Sequence, residues 1–273
     1  MAAGSLHRRV CVAAITDLGA TVTRVRFTPR SQPVPLAERV PGGHLKLFFP
    51  CNLQGHSPVA RPEVDLCHKP RSFTYRGWAG DGAFDVDFAR HEGTGPAANW
   101  IAQARAGDML LMRHGGAPKL DPAATADPLV LVADPTGTPV VAALVESLAD
   151  AVDVTICLAV EPGASPCALP RDHGQQVLVT SRDRSGHRLP LADLLRCAPI
   201  APRARVFVAC EAGEMRAIRR FLLDEAGHDP SRVITSGYWK AGLNTEAVEA
   251  AKRRPDWFAD PAPAAPRHAE VTT

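Results

Sequence analysis

The chain has 273 residues, enough for one large domain or two small ones, and its 45% hydrophobic and 22% charged residues are those of an ordinary globular protein with a sizeable core. A formal net charge of +2 is too small to make nucleic acid or an anionic membrane its main partner. No apolar run approaches the ~20 residues of a membrane helix, and MAAGSLHRRV lacks the apolar stretch of a signal peptide, so a cytoplasmic monomer is expected. The seven cysteines, Cys11, Cys51, Cys67, Cys157, Cys167, Cys197 and Cys210, form no C-x-x-C pair, so no metal site is expected.

The first part of the chain reads as β structure. Arg9–Thr16 and Ala20–Thr28 are rich in Val, Ile and Thr and are separated by Asp17-Leu18-Gly19. His44–Phe49, Arg71–Arg76, Ala83–Arg90 and Asp108–Arg113 follow as strands, with Gly77–Gly82 as a hairpin loop and one helix over Ala97–Ala106. This pattern predicts a small six-stranded antiparallel barrel over residues 1–122. From about residue 123 the rhythm changes. Strands at Leu129–Ala133, Val152–Val160, Gln176–Thr180, Arg205–Cys210 and Val233–Ser236 alternate with helices at Thr138–Ala149, Leu189–Arg196 and Gly213–Ala226. Strand–helix alternation predicts a parallel sheet, here a Rossmann-like α/β domain over 123–254, with ligands at the carboxyl ends of its strands. Residues 255–273 are rich in Pro and Ala and read as a disordered tail.

Two segments carry the chemistry. In Arg71-Ser72-Phe73-Thr74-Tyr75-Arg76, an arginine at a strand start can reach a pyrophosphate bidentately. The residues after it face opposite sides of the strand, so one can pack on a ring while another hydrogen-bonds to it. An ordinary charged strand is the plain alternative. In Asp87-Phe88-Ala89-Arg90-His91 followed by Gly93 to Trp100, a strand runs into a glycine-rich turn and then a helix with Pro96 near its first position. Free N–H groups at such a helix start can bind phosphate.

Together these segments resemble the siderophore-interacting protein family, FAD-dependent ferric-siderophore reductases of the ferredoxin-reductase-like superfamily. That family shows R-x-Y-T and then D-F-V-x-H-x-x-x-G-P-A-S-x-W. Here stand Arg71, Phe73 and Thr74, then Asp87, Phe88, His91, Gly95, Pro96, Ala97 and Trp100. His44-Leu45-Lys46-Leu47-Phe48-Phe49-Pro50 is similar to the family's H-V-K-L-x-x-P, Ala209-Cys210-Glu211-Ala212 to its A-G-E-A, and Gly237-Tyr238-Trp239-Lys240-Ala241-Gly242 to its terminal G-Y-W-R-x-G. The resemblance spans residues 9–243 in order. It implies an FAD site built from Arg71, Ser72, Phe73, Thr74, Asp87, His91, Gly95, Pro96, Ala97, Ala98, Asn99 and Trp239, and electron flow from NAD(P)H through flavin to a ferric siderophore or other small ferric chelate. Phe73, Ala98 and Pro135 replace the family's tyrosine, serine and glutamate. A flavin reductase with another acceptor, a ferredoxin-fed relative and a flavin-less binding protein stay open.

For the nicotinamide nucleotide, the turn at Thr136, Gly137 and Thr138 offers helix-start amides. Ser181, Arg182 and Arg184 after a strand suit an adenosine 2′-phosphate, with a solvated basic loop equally open. Glu211 follows a buried strand and either meets nicotinamide or substrate or stabilises a helix start. Lys46, Arg219, Arg220 and Lys240 are the candidate cations for an anionic ferric chelate.

Overall fold

The computed structural model describes residues 7–19, 21–30, 33–35, 39–50, 69–90, 95–121, 126–148, 152–162, 169, 175–183 and 185–258. Seven strands come first: β1 (Arg8–Asp17), β2 (Val22–Pro29), β3 (His44–Phe49), β4 (Lys69–Thr74), β5 (Gly77–Trp78), β6 (Phe84–Ala89) and, after helix α1 (Pro96–Ile101), β7 (Met109–Gly116). They form one antiparallel sheet in the order β4-β3-β7-β1-β2-β6-β5. β4 and β5 are therefore its two margins, yet they are consecutive in the chain. Tyr75 and Arg76 carry the backbone from one margin to the other: the Tyr75 N–H donates to the Gly43 carbonyl and the Arg76 N–H to the Asp85 carbonyl, each at 2.8 Å. With β4 and β5 taken as one bent strand, the sheet is the expected six-stranded barrel, and this corner is its seam.

Strand alternation puts Val25, Phe27, Leu45, Leu47, Phe49, Phe84, Val86, Phe88 and Met112 inside. Trp100 of α1 plugs one end against Phe27, Phe49 and Phe88, with ring centroids 5.6–6.2 Å away. Two expectations need correction. The predicted hairpin loop over Gly77–Gly82 contains β5, because Trp78 packs on Tyr75 at 4.5 Å and on Phe84 at 5.6 Å and holds Gly77 and Trp78 in register with Asp85 and Phe84. The helix expected to reach Ala106 stops at Ile101. Gly107 at φ +96 and the Asp108 carboxylate, which accepts from the Arg105 N–H at 2.8 Å, turn the chain into β7.

The second half comprises β8 (Leu129–Ala133), α2 (Thr138–Glu146), β9 (Val154–Val160), β10 (Gln176–Ser181), α3 (Leu191–Arg196), β11 (Arg205–Glu211), α4 (Ala212–Arg220), β12 (Val233–Trp239) and α5 (Thr245–Ala251). The strands pair in parallel in the order β10-β9-β8-β11-β12. Every residue of β8 is buried, as a central parallel strand with both faces covered requires. α2 packs on one face of this sheet, and α3, α4 and α5 on the other. Strand order reverses between β8 and β11, so their carboxyl ends form the crevice where such sheets bind ligands.

α4 ends at Arg220 and continues as a single π turn, Phe221–Glu225, within the predicted helix. α5 was not foreseen. Asn244 caps it by accepting the Ala247 N–H at 2.9 Å. The predicted tail begins too early: Pro255–Phe258 forms a 3-10 turn with Trp257 buried in the core beside α4. The rest of that tail lies outside the described residues. Among the described residues no helix is long and apolar enough to cross a membrane.

Candidate active site

The outward-facing residues of the β4–β5 seam and of β6 build one wall of a cleft. Val22, Arg24, Arg76, Asp87 and Ala89 line it from the barrel, and Pro135, Thr138, Pro139 and Ala142 line it from the β8–α2 turn and α2. Arg24 grips Asp87 with two bonds of 2.7 and 2.9 Å, a cross-strand charged pair that pushes the guanidinium pKa up. Arg76, only 5% exposed, lies 3.7 Å from Asp87 and is bidentate to Glu146 of α2 at 2.5 and 2.6 Å. Asp87, expected to contact cofactor, thus faces the cleft with its carboxylate already held by Arg24. The Arg76–Glu146 pair ties the barrel to the α/β half.

In β4, Arg71 and Phe73 stand opposite the core residues Leu47 and Leu45, whereas Ser72 and Thr74 stand opposite Lys46 and His44. Phe73 turns toward the barrel interior, 4.6 Å from Phe88. The Arg71 guanidinium donates to the Pro70 carbonyl at 3.1 Å and lies 3.8 Å from Glu246 of α5. Ser72 is exposed and Thr74 buried. Tyr238 at the end of β12 lies beside Thr74, and burial raises the Tyr238 phenol pKa well above its usual range, reinforced by the Asp134 charge. At the start of α1, Pro96 has no N–H, and the Asn99 N–H donates to Gly95 O at 2.9 Å. The N–H groups of Gly95, Ala97 and Ala98 have no hydrogen-bond partner among the described residues, and no atom crowds Gly95 within 4 Å. His91 lies outside the described residues.

At the sheet crevice, Asp134 is 3% exposed. Its Oδ1 accepts from Thr136 N at 2.8 Å, Thr136 Oγ1 at 2.5 Å and Gly137 N at 3.2 Å. Its Oδ2 accepts from Glu211 N at 2.9 Å and from the Trp239 indole at 2.8 Å. The Asp134 carbonyl accepts from Gly137 N and Thr138 N, both at 3.0 Å. The expectation of anion-ready amides at Thr136, Gly137 and Thr138 is therefore corrected: all three donate to Asp134, and Pro139 has none to offer. Gly137 is required for a different reason, since a Cβ there would sit 1.9 Å from the Ala209 carbonyl.

Glu211 is the N-cap of α4. Its Oε2 accepts from Gly213 N and Glu214 N, and its Oε1 from Ala241 N at 3.3 Å. Of its two predicted roles, helix stabilisation is the one its carboxylate performs here. Ser181 and Arg182 are exposed at the end of β10, and Arg182 donates to Gly186 O at 3.0 Å. Arg184 lies outside the described residues.

Lys46 stands on the outer face of β3, two residues from His44, while Lys240 follows Trp239. Tyr238 brings this end of β12 beside Thr74 on the same barrel face. His44 is exposed, with one side of its ring against the Gly115–Gly116 backbone. Burial of that side and the charges of His114, Lys46 and Lys119 lower its pKa, against a hydrogen bond with Ala117. Arg219 and Arg220 do not join this face. They sit about two turns along α4 from its start, roughly 12 Å away along the axis, and Arg219 stacks over Phe258 at 5.3 Å.

Residues 126–242 match the siderophore-interacting protein family, and residues 11–118 match the siderophore-interacting FAD-binding domain. The chain belongs to the siderophore-interacting protein family. Among its relatives, the ferric acinetobactin reductase of Acinetobacter baumannii is 25% identical over 169 residues, a stretch covering 60% of this chain and 58% of that protein. The siderophore-interacting protein structure from Acinetobacter baumannii superposes with a TM-score of 0.75 at 19% identity, covering 90% of this chain and 96% of that one. SipS from Aeromonas hydrophila gives 0.69 at 24% identity, over 90% and 96%. The barrel is thus a family FAD-binding domain. On this domain the groups suited to a flavin dinucleotide are the Gly95, Ala97 and Ala98 amides, which have no partner among the described residues, and the Arg71 guanidinium on β4.

Sequence reasoning missed Arg24, Arg76, Asp134 and Glu146. Arg76 closed the quoted β4 motif and Asp134 stood in the β8–α2 turn, but nothing in the sequence announced their partners 70 and 105 residues away.

Proposed function

We propose that the chain reduces ferric siderophores, or other small ferric chelates, with electrons from a nicotinamide dinucleotide passed through FAD. The ordered pairing of a flavin-type β4 and α1 with a crevice at the β8–β11 switch point carries this reading. The two halves are tied by Arg76–Glu146 beside the cleft that Arg24, Asp87 and the β8–α2 turn line. FAD supplies the conversion of a two-electron hydride donor into single-electron delivery to chelated Fe(III). The chain's residues supply position and charge. Arg71 and the N–H groups of Gly95, Ala97 and Ala98 would hold the pyrophosphate. The exposed Ser72 hydroxyl would face the cofactor along β4, beside the buried Thr74. The indole of Trp239, fixed by Asp134, stands exposed at the end of β12. Lys46 and Lys240 attract the anionic chelate, and Fe(II), bound less tightly by hard oxygen donors, then leaves.

The working units are residues 1–122 and 123–254. We place the protein in the cytoplasm, where nicotinamide nucleotides are available and cysteines such as Cys11, Cys157, Cys197 and Cys210 stay free. The test is the visible spectrum of the purified protein. A flavin band that bleaches anaerobically with a nicotinamide dinucleotide and returns on adding a ferric chelate is expected. A colourless protein that takes up no FAD would end the reading. A band that bleaches but is restored by quinones and not by ferric chelates would favour another acceptor.

A further inference from the structure

At the carboxyl edge of the parallel sheet stands an ion pair with no part in the chemistry above. Arg188 ends the turn that follows β10, and Glu214 lies in the first turn of α4. Their nearest atoms are 2.8 Å apart, and the side chains are 18% and 20% exposed. Each partner nevertheless keeps one shielded polar atom unsatisfied: among the described residues, Nη1 of Arg188 and Oε2 of Glu214 have no hydrogen-bond partner. An unmet donor beside an unmet acceptor leaves the desolvation of both groups uncompensated. Both atoms are closed to solvent in this conformation, so a ligand carrying an acceptor and a hydroxyl donor would satisfy them once the partly exposed pair swings outward.

The position suits such a ligand. Cys210, at the end of β11, lies within electrostatic reach of both Arg188 and Glu214. Ser181 and Arg182 arrive at the same edge from β10. The turn that delivers Arg188 is fixed by Asp183, which accepts from Ser185 N at 2.8 Å, Ser185 Oγ at 2.6 Å and His187 N at 3.0 Å.

We propose that Arg188 and Glu214 together read the adenosine ribose of the nicotinamide dinucleotide and select the unphosphorylated nucleotide. A ribose hydroxyl donates to Oε2 of Glu214, and a ribose oxygen accepts from Nη1 of Arg188. A 2′-phosphate has no hydroxyl to donate and sets negative charge against the Glu214 carboxylate, which offsets what Ser181 and Arg182 would gain from it. Discrimination by an unpaired or repelled group exceeds what pocket shape alone provides. This proposal rests on the reading of a nicotinamide donor and sharpens it.

The test uses ligands that bind without transferring electrons. The purified flavoprotein is titrated calorimetrically with ADP-ribose and with 2′-phospho-ADP-ribose. The wild type is expected to bind ADP-ribose about tenfold or more tightly. Glu214→Gln, nearly isosteric, should bring the two affinities to within about threefold, Glu214→Arg should invert the order, and Arg188→Gln should weaken both ligands. Steady-state kcat/KM for NADH against NADPH should shift the same way. A Glu214→Gln protein that binds both ligands with the wild-type ratio would show the pair to be a structural strut and overturn the proposal. A wild type that prefers the phosphorylated ligand would overturn it as well. If the folded wild type binds neither ligand, the donor reading itself falls, and this proposal with it.

Discussion

The indole N–H of Trp239 donates to Oδ2 of Asp134 across 2.8 Å, although the two residues stand 105 positions apart. The bond joins the last residue of β12 to the residue just after β8. The Glu211 amide at the end of β11 meets the same oxygen. One buried carboxylate therefore gathers the carboxyl ends of three neighbouring strands and aims a 43% exposed indole across the crevice. Asp134→Asn keeps the shape but turns an amide N–H₂ toward at least one of these donors. Hydrogen bonds to a charged group contribute about 1.5–3 kcal/mol each, so a net loss of about 3 kcal/mol is expected in urea unfolding. Trp239→Phe should cost less, about 2 kcal/mol. In both variants flavin quenching of tryptophan emission should fall. An unchanged unfolding midpoint for Asp134→Asn would rule out the hub.

Gly137 and Gly95 should respond in opposite ways to the same change. A Cβ at Gly137 meets the Ala209 carbonyl at 1.9 Å, whereas one at Gly95 meets nothing within 4 Å. Gly137→Ala must push backbone apart in a packed layer, with an expected cost of about 3 kcal/mol or more. Gly95→Ala, with φ −71, should leave stability within about 0.5 kcal/mol. Parallel thermal melts check both, and equal shifts would contradict the packing described for the β8–α2 turn.

Removing the Glu146 carboxylate should loosen the two halves without unfolding either. Arg76 would keep only the 3.7 Å approach to Asp87 while remaining 5% exposed. Because Glu146 is 43% exposed, solvent screens part of the pair, and Glu146→Gln should cost about 1–2 kcal/mol. Hydrogen exchange should speed at the β5–β6 hairpin and the end of α2 and stay unchanged in β1 and β11. Uniform acceleration throughout would show that the pair is not a local tie.

His44 makes stability pH-dependent on the acid side. In the unfolded chain its imidazole titrates at 6.5, and folding lowers that value. Between the two values the unfolded chain binds more protons, so stability rises with pH there. The His44 contribution is complete above the unfolded value and is lost as pH falls through the folded one. Melting temperatures at about pH 7.5 and about pH 5.5 should differ more for the wild type than for His44→Gln. An equal drop in both proteins would assign the acid loss to other groups.

Thiol labelling gives an independent check on burial. Burial raises the Cys157 thiol to about 12 and the Cys210 thiol well above its ordinary value, while Cys197 is exposed. A maleimide at neutral pH should modify Cys197 in the native protein and reach Cys157 and Cys210 only after unfolding, as mass spectrometry of the digested protein would show.

The strands and the two-part architecture were legible because period-2 alternation and fully apolar runs are local signals. β8 and β3 were bounded to the residue for that reason. α5 was not anticipated, since it is short and relies on the Asn244 cap and on Val248 docking into the core, a tertiary gain that local sequence does not show. Trp257 hid in a proline-rich stretch because its burial depends on α4 and β12, against which it packs. Motif order pointed to Thr74, Asp87 and the α1 start as candidates. It did not show that Asp87 is held by Arg24, that Asp134 takes up the α2-start amides, or that Arg219 lies at the wrong end of α4. Each of those facts is a long-range pairing, invisible to spacing along one segment.

The seam at Tyr75–Arg76 bears on the protein's life in the cell. Residues 69–78 fasten both margins of the barrel, carry the Arg71–Thr74 motif and send Arg76 to its partner across the cleft. A tenant bound against that stretch shifts the folding balance by mass action. If flavin binds there as proposed, a chain without it would be less stable and more readily cut by proteases.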